Sequence, residues 1–236
     1  MPSATHSRVL WTKIRFAEGR LLSASDLFWT HPHLASLLPQ FLIQLHRVMH
    51  GGISLMRTAK DRALLFPDDP VAARTASYLE MHIEEEKDHD QWLLSDIESL
   101  GIDPTDVLRA TPLPATVSLL GAQYFWMFHM HPVAIFGYLI VLEGYPPLVH
   151  QLEQIRRSTG LPTSAFRCLI SHAEDDPDHI DTLNRTLDSM PLTPDQSKYL
   201  ALSAFHTIDA VASILEELLD LHAVSSDTEV LSPSHA

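Results

Sequence analysis

Three short stretches of the sequence place carboxylates and imidazoles at helical spacing. In the first, residues 81–94 (MHIEEEKDHDQWLL), the side chains of His82, Glu85, Glu86 and His89 fall within roughly 100° of one helix face. A Glu-x-x-His pair such as Glu86 and His89 lets two side chains of one helix bind the same metal ion. The alternative is a charged, solvated helix face, because the run EEEKDHD is hydrophilic throughout.

The second stretch, SHAEDDPDHIDTL at residues 171–183, places His172, Asp176 and His179 four and three residues apart. On a helix these three side chains lie within roughly 60° of one another. Two imidazoles and a carboxylate are suitable ligands for one or two ions. Pro177 lies inside the predicted helix, where it removes a backbone hydrogen bond and predicts a kink. A proline at this position destabilises the helix beside a carboxylate, which favours a functional role for this stretch. The alternative is a solvated helix face.

The third stretch is GYLIVLEGYPP at residues 137–147, where Glu143 follows six residues without charge. Burying a carboxylate in such a run is costly unless it is paired or bound to a metal, and a structural ion pair is the alternative. Together the stretches offer three carboxylates and three imidazoles, a set suited to non-haem iron, manganese or zinc. The predicted ligands are Glu86, His89, Glu143, His172, Asp176 and His179, with Glu85 and His82 as alternates.

The composition agrees with imidazole and carboxylate chemistry. The chain of 236 residues has 15 His, 16 Lys and Arg, and 30 Asp and Glu, so its formal net charge is −14. This acidic balance argues against a nucleic-acid partner, which needs a basic footprint. One cysteine, Cys168, cannot form an internal disulfide or a thiolate cluster, and it favours a reducing, cytoplasmic location. We expect no secretory signal and no membrane partner, because no apolar run approaches the roughly 18–20 residues of a membrane helix.

The residues that begin and end structural elements in this sequence are typical of a helical protein. Asp69-Pro70 predicts a capped helix start, and Thr193 with Gln196 predicts a capping box. No window alternates like a strand. The pattern predicts five long helical segments, the third broken by prolines: 33–66, 70–100, 114–157, 163–189 and 194–222. We expect a single all-α domain at 26–223, after a loosely structured lead-in at 1–25 and before a disordered tail at 224–236.

The three stretches, in this order, resemble the haem-oxygenase-like di-iron oxidases, a family of iron-containing redox enzymes. The likeness rests on His-x-x-Glu-Glu at 82–86 continuing to His89, on Gly-Tyr-x-x-x-Leu-Glu ending at Glu143, and on His-Ala-Glu-x-Asp-Pro-x-His at 172–179. It covers roughly residues 40–220 and implies a haem-oxygenase-like bundle of about seven helices.

The resemblance also implies a cofactor of two iron ions, with O₂ as co-substrate. It implies that Glu143, His172, Asp176 and His179 are iron ligands. It also matches Glu86 and His89 to the Glu and His of the family's second helix. Glu85 remains an alternative to Glu86. The implied chemistry is N-oxygenation, oxidative C–C cleavage of amino or fatty acids, or nitrile formation, through a diferric peroxide. Members of the family often pair as homodimers.

The expected substrate is a small molecule, with an amino acid favoured. An arginine would suit a substrate carboxylate, and aromatic side chains would line its pocket. The candidate substrate-binding residues are Tyr138, Tyr145, Trp126, Phe125, Arg167 and His50, with Arg47 and Arg57 as further arginines. The alternatives are a metal-free enzyme of this fold, thiaminase-II-like or quinone-cofactor-forming, and a non-enzymatic helical interaction protein. A haem oxygenase is less favoured, because no histidine stands out as a proximal haem ligand.

Overall fold

Two helices begin at the capping residues that the sequence predicts. The Asp69 carboxylate accepts hydrogen bonds from the backbone of Val71 at 2.7 Å and of Ala72 at 3.2 Å, at the start of a helix whose first residue is Pro70. Thr193 and Gln196 bond reciprocally at 2.9 and 3.2 Å, which confirms the predicted capping box.

A computed structural model describes the backbone of residues 4–230 and the side chains of residues 4–224. All regular secondary structure in this span is helical, which confirms the all-α prediction. The helices are α1 (His6–Ala17), α2 (Gly19–Trp29), α3 (Leu34–Leu64), α4 (Pro70–Glu85), α5 (His89–Glu98), α6 (Pro104–Arg109), α7 (Pro114–His129), α8 (Ile135–Leu142), α9 (Val149–Thr159), α10 (Arg167–Asp188) and α11 (Pro194–Val230), with 3-10 turns at Pro132–Ala134 and Thr163–Phe166.

Helix α11 is the axis of the bundle and packs against α1, α2, α3, α7 and α8. Helix α8 is apolar on every side, and its residues 135–141 are buried in the core. Gly137 of α8 lies directly against the backbone of Leu200 and Ala204 in α11, so the two helices approach more closely there than a side chain would allow. Helix α8 ends immediately before Glu143.

The prediction of a loosely structured lead-in is wrong, because α1 and α2 form there. Leu10, Ile14 and Phe28 are buried, and Trp11 donates to the Asn184 side chain at 3.0 Å. At the other end α11 continues to Val230, into the segment predicted as a disordered tail, and residues 231–236 lie outside the described residues.

The chain has more helices than the expected seven or so, with eleven α-helices among residues 4–230. The lead-in adds two helices, and the segment 114–157 divides at its prolines as predicted, into α7, α8 and α9. The segment 70–100 divides at residues 86–88, which the sequence did not indicate. Helix α10 continues through Pro177. None of the helices between residues 4 and 230 is both long and apolar enough to cross a membrane.

Candidate metal centre

The break between α4 and α5 positions the first of the predicted metal-binding stretches. Asp88 has a left-handed backbone with φ of 67°, a conformation that Asp adopts more readily than most residues other than Gly. The prediction of one continuous helix face for this stretch is therefore wrong. The turn nevertheless brings Glu86 to His89, with 3.2 Å between Oε2 and Nδ1.

One group of ligand-type side chains consists of Glu86, His89 and His172. Their ligand atoms lie within 4.8 Å of one another. Glu86 Oε2 is 3.5 Å from His172 Nε2, and the rings of His89 and His172 are 5.0 Å apart. The Nδ1 of His172 lies 3.1 Å from the carbonyl of Cys168. If Nδ1 donates to that carbonyl, Nε2 is left as the ligand atom facing the group.

A second group consists of His82, Glu85 and His179. Glu85 Oε2 lies 3.4 Å from His82 Nδ1 and 4.0 Å from His179 Nε2. The two groups touch, because His179 Nδ1 is 3.7 Å from Glu86 Oε1. The neighbours Glu85 and Glu86, which the sequence leaves as substitutes for each other, thus belong to different groups.

Glu143 and Asp176 complete the cluster. Glu143 Oε1 is 2.9 Å from His82 Nε2, and Asp176 Oδ1 is 3.9 Å from His179 Nδ1. Within the described part of the chain, Glu143 Oε2, Asp176 Oδ1 and His179 Nδ1 are buried without a hydrogen-bond partner. A buried polar atom left unpaired costs about 1–3 kcal/mol, a cost that a bound cation would remove. Carboxylate and imidazole donors suit iron or manganese, so these residues fit the implied metal.

Burial and close contact between acids and imidazoles shift the pKa values of several residues in the cluster. Burial, with the nearby charges of Glu143 and Glu86, raises the pKa of Asp176 to about 8. Burial lowers the pKa of His172, but hydrogen bonds to Cys168 and Glu86 outweigh it and raise this pKa to about 11. For Glu86, hydrogen bonds from His172 and His89 outweigh burial and hold its pKa well below the usual range.

A cavity of about 1090 Å³ lies beside the cluster. His82, Glu86, Glu143, His172 and Asp176 form part of its lining, and most of the remaining wall is apolar. A small molecule bound in this cavity would therefore lie next to the ligand-type residues.

The residues predicted to bind substrate are divided between the cavity and other places. Tyr138 and Tyr145 line the cavity, and the Tyr145 hydroxyl is hydrogen-bonded to the Glu18 carboxylate. Trp126 and the half-exposed Phe125 lie on α7, apart from the lining residues.

The two polar candidates, Arg167 and His50, are also not among the lining residues. Arg167 is bonded to Asp96 through Nε at 2.9 Å and Nη2 at 2.8 Å. His50 is largely exposed and pairs with Asp90 at 2.8 Å. Both side chains thus have partners of their own.

The sequence-based prediction missed Tyr78. Its ring stacks on that of His82, with centroids 5.3 Å apart and planes at 26°. Its hydroxyl is buried without a hydrogen-bond partner among the described residues, and burial raises its pKa far above the usual value. The available signal was its position one helical turn before His82.

Comparison with known proteins shows the family of this chain. A family model described as iron-containing redox enzyme matches residues 74–212, which is more than half of the chain and includes all three stretches predicted to bind metal. The protein therefore belongs to the iron-containing redox enzyme family. Comparison with curated protein sequences gives no match.

Two solved structures share the fold. One is a domain of unknown function with a haem oxygenase-like fold from Shewanella denitrificans OS217, with 22% identity, a TM-score of 0.71, and coverage of 93% of this chain and 91% of that one. The other is a TenA homolog from Pseudomonas syringae pv. tomato, with 14% identity, a TM-score of 0.67, and coverage of 89% and 91%. Together they establish a haem-oxygenase-like fold.

Proposed function

We propose that the protein is a non-haem di-iron enzyme that uses O₂ to oxidise a small organic substrate. The observation that carries this proposal is the meeting of two groups of ligand-type side chains beside one large cavity. Membership of the iron-containing redox enzyme family supports iron over zinc. Two adjoining groups, with further carboxylates at their edge, support two ions rather than one.

In this proposal Glu86, His89 and His172 hold one ion, and His179 takes part in holding the other. Glu143 and Asp176 supply the remaining carboxylate oxygens, and His82 and Glu85 are the alternates. Bound ferrous ions would supply electrons for O₂ reduction and a template for the two substrates.

The surrounding residues orient the ligands and exclude water. The Cys168 carbonyl fixes the His172 ring, and Tyr78 packs against the His82 ring. His82 is 1% exposed and Asp176 is 4% exposed, so both are removed from solvent. Removal from water strengthens the interaction of these groups with a bound cation and its ligands.

The candidate reactions are N-oxygenation, oxidative C–C cleavage and nitrile formation, and an amino acid is the substrate that the resemblance favours. A metal-free enzyme of the same fold is the alternative, since a TenA homolog has this fold. The unpaired atoms of Glu143, Asp176 and His179 favour a metal site over it, because buried polar atoms without partners are costly and a bound cation would pair with them.

The test is to load the anaerobic protein with ferrous iron, count the bound iron, and follow the optical spectrum on mixing with O₂. The mixing is done alone and with pools of amino acids, fatty acids and amines. We expect about two irons per chain and a transient absorption that one pool accelerates. Iron that is not retained with any pool would overturn the proposal and leave a metal-free enzyme or an interaction protein.

A further inference from the structure

Helix α7 and the end of α3 expose a group of large apolar side chains. Helix α7 has 16 residues, and none of them is Asp, Glu, Lys or Arg. Its inner face packs against α3 and α11, but its outer face is apolar as well, where a surface helix usually carries polar residues. The exposed residues of this surface, which we call the α3/α7 patch, are Leu65, Phe66, Tyr124, Phe125, Phe128 and Met130.

The side chain of Arg62 joins the two parts of the patch. Its guanidinium carbon lies 5.0 Å from the ring centroid of Phe128 and 5.9 Å from that of Phe66, so the last turns of α3 and α7 form one surface. The Nε of Arg62 is buried without a hydrogen-bond partner, and no carboxylate pairs with this guanidinium among residues 4–224. The patch therefore holds a cation whose hydrogen bonds a partner carboxylate could complete.

The exposed area of the patch approaches that of an interface. A Phe or Tyr side chain has about 150–250 Å² to bury. At the exposures of its four aromatic residues, 38–51%, the patch leaves roughly 250–450 Å² of aromatic area in water. This area alone reaches the roughly 300–600 Å² of the largest apolar patch on a typical monomer. Leu65 and Met130 extend it towards the roughly 800 Å² that each partner buries in a standard interface.

The charges of the chain favour a second copy as the occupant of the patch. Each copy carries a formal net charge of −14, so two copies repel unless their contact keeps the carboxylates apart. Contact through α7 does so, because α7 has no acidic residue. Asp61 and Asp68, which flank the patch, are exposed and form no ion pair within the described part of the chain. In a two-fold contact, Arg62 of each copy can receive one of these carboxylates from the other, which makes the surface complementary to itself.

We propose that the α3/α7 patch is the interface of a two-fold symmetric homodimer, with the aromatic side chains of α7 at its centre and Arg62 at its edge. Burial of the aromatic side chains supplies the affinity, and the ion pairs of Arg62 fix the register of the two copies. The inference does not rest on the proposed function, because association of the chains requires neither iron nor O₂.

Sedimentation velocity on the intact protein, both metal-free and loaded with Mn²⁺, tests the inference. We expect a dimer with a micromolar or tighter Kd in both forms. Phe125→Glu should weaken the dimer at least about thirtyfold, because it removes a central aromatic side chain and places two like charges in the contact. The matched control is Phe16→Glu, which changes a Phe that is 89% exposed on α1, outside the patch, and should leave the dimer unchanged.

A second variant tests the charged edge of the interface. Arg62→Gln should weaken the dimer at least about fivefold, because the cation is lost while most of the apolar surface stays. Far-UV circular dichroism and chemical denaturation of each variant, measured at concentrations where all are monomeric, separate loss of the interface from loss of the fold. Phe125 is half-exposed, so we expect its substitution to leave the helical fold intact.

Three results would overturn the inference. A wild-type chain that stays monomeric up to about 100 µM would leave the patch to a partner of another kind. A dimer unchanged in Phe125→Glu would place the interface elsewhere, most directly so if Phe16→Glu weakened it. A dimer unchanged in Arg62→Gln would show that the copies do not meet in the two-fold arrangement. Failure of iron binding or O₂ uptake would instead refute the proposed function and leave the oligomeric state unaffected.

Discussion

Glu143 follows the last residue of the apolar helix α8, and its carboxylate contacts His82. Its Oε2 is buried without a hydrogen-bond partner among the described residues. His172 presents its Nε2 to Glu86. We expect Glu143→Ala and His172→Ala to abolish iron-dependent O₂ consumption, and to weaken iron binding by at least roughly tenfold to a hundredfold. The measurements are iron content, O₂ uptake, and far-UV circular dichroism, which should show a largely intact helical fold.

The matched control is Glu174→Gln, which changes an exposed carboxylate two residues after His172 on the same helix. It should retain iron and activity, because exposed charges contribute little to a buried site. Full activity in both Glu143→Ala and His172→Ala would show that the ligands have been assigned wrongly.

A second consequence at the residue scale is coupling between metal binding and protons. Ligands bind metals in their deprotonated form. Burial raises the pKa of Asp176 to about 8, and hydrogen bonds to Cys168 and Glu86, which outweigh burial, raise that of His172 to about 11. Both groups therefore hold protons at neutral pH in the metal-free protein, and a cation must displace them.

Affinity for Mn²⁺ should consequently rise between about pH 6 and about pH 9. Calorimetry at neutral pH, in buffers of different ionisation enthalpy, should detect net proton release on binding. A flat affinity over this range would mean that these two groups do not bind the ion.

At the scale of elements, the turn between α4 and α5 decides where Glu86 and His89 lie. Asp88 is exposed and its backbone is left-handed, so a substitution there tests the conformation of the turn. Asp88→Val should lower the free energy of unfolding by about 1–2 kcal/mol, because a β-branched residue fits this conformation poorly. It should also weaken iron binding, whereas Asp88→Gly should preserve both properties.

Chemical denaturation and iron titration measure these effects. Lys87→Val is the control, since Lys87 is the exposed neighbour and has an ordinary negative φ. If Lys87→Val and Asp88→Val lost equal stability, the cause would be the apolar surface that both introduce, not the backbone of the turn.

This turn also marks a limit of prediction from the sequence. Helix starts at Pro70 and Pro194 follow from local caps, which a sequence displays directly. The break at 86–88 contains neither Gly nor Pro, so nothing local indicates it. The helices α1 and α2 were missed for a related reason, because the partner that buries their narrow apolar faces, α11, is distant in the sequence.

At the scale of the whole molecule, the side chains of the candidate centre were predictable from the sequence but their grouping was not. Residue chemistry and spacing selected six side chains and two alternates, and the structure brings all eight together. Glu85 and Glu86 face different groups because of the way α4 packs between α3 and α10. The sequence of a single segment does not show this packing. For the same reason the aromatic residues Tyr138 and Phe125 looked equivalent in the sequence, although only Tyr138 lines the cavity.

The placement of Glu143 depends finally on how closely α8 approaches α11. A Cβ at Gly137 would overlap the carbonyl oxygen of Leu200 and would lie 2.8 Å from the backbone nitrogen of Ala204. Backbone atoms cannot move away as a flexible side chain can, so Gly137→Ala must push the two helices apart. We expect a loss of about 1–3 kcal/mol in the free energy of unfolding, the usual effect of overpacking a core.

Because α8 leads directly to Glu143, the same displacement should weaken iron binding without changing any ligand. Gly121→Ala is the matched control, since a Cβ there meets no atom within 4 Å and should stabilise α7 by up to about 1 kcal/mol. Equal stability of the two variants would show that the helices tolerate a wider spacing. Lost stability with unchanged iron affinity would show instead that Glu143 is positioned by its contact with His82 and not by the packing of α8.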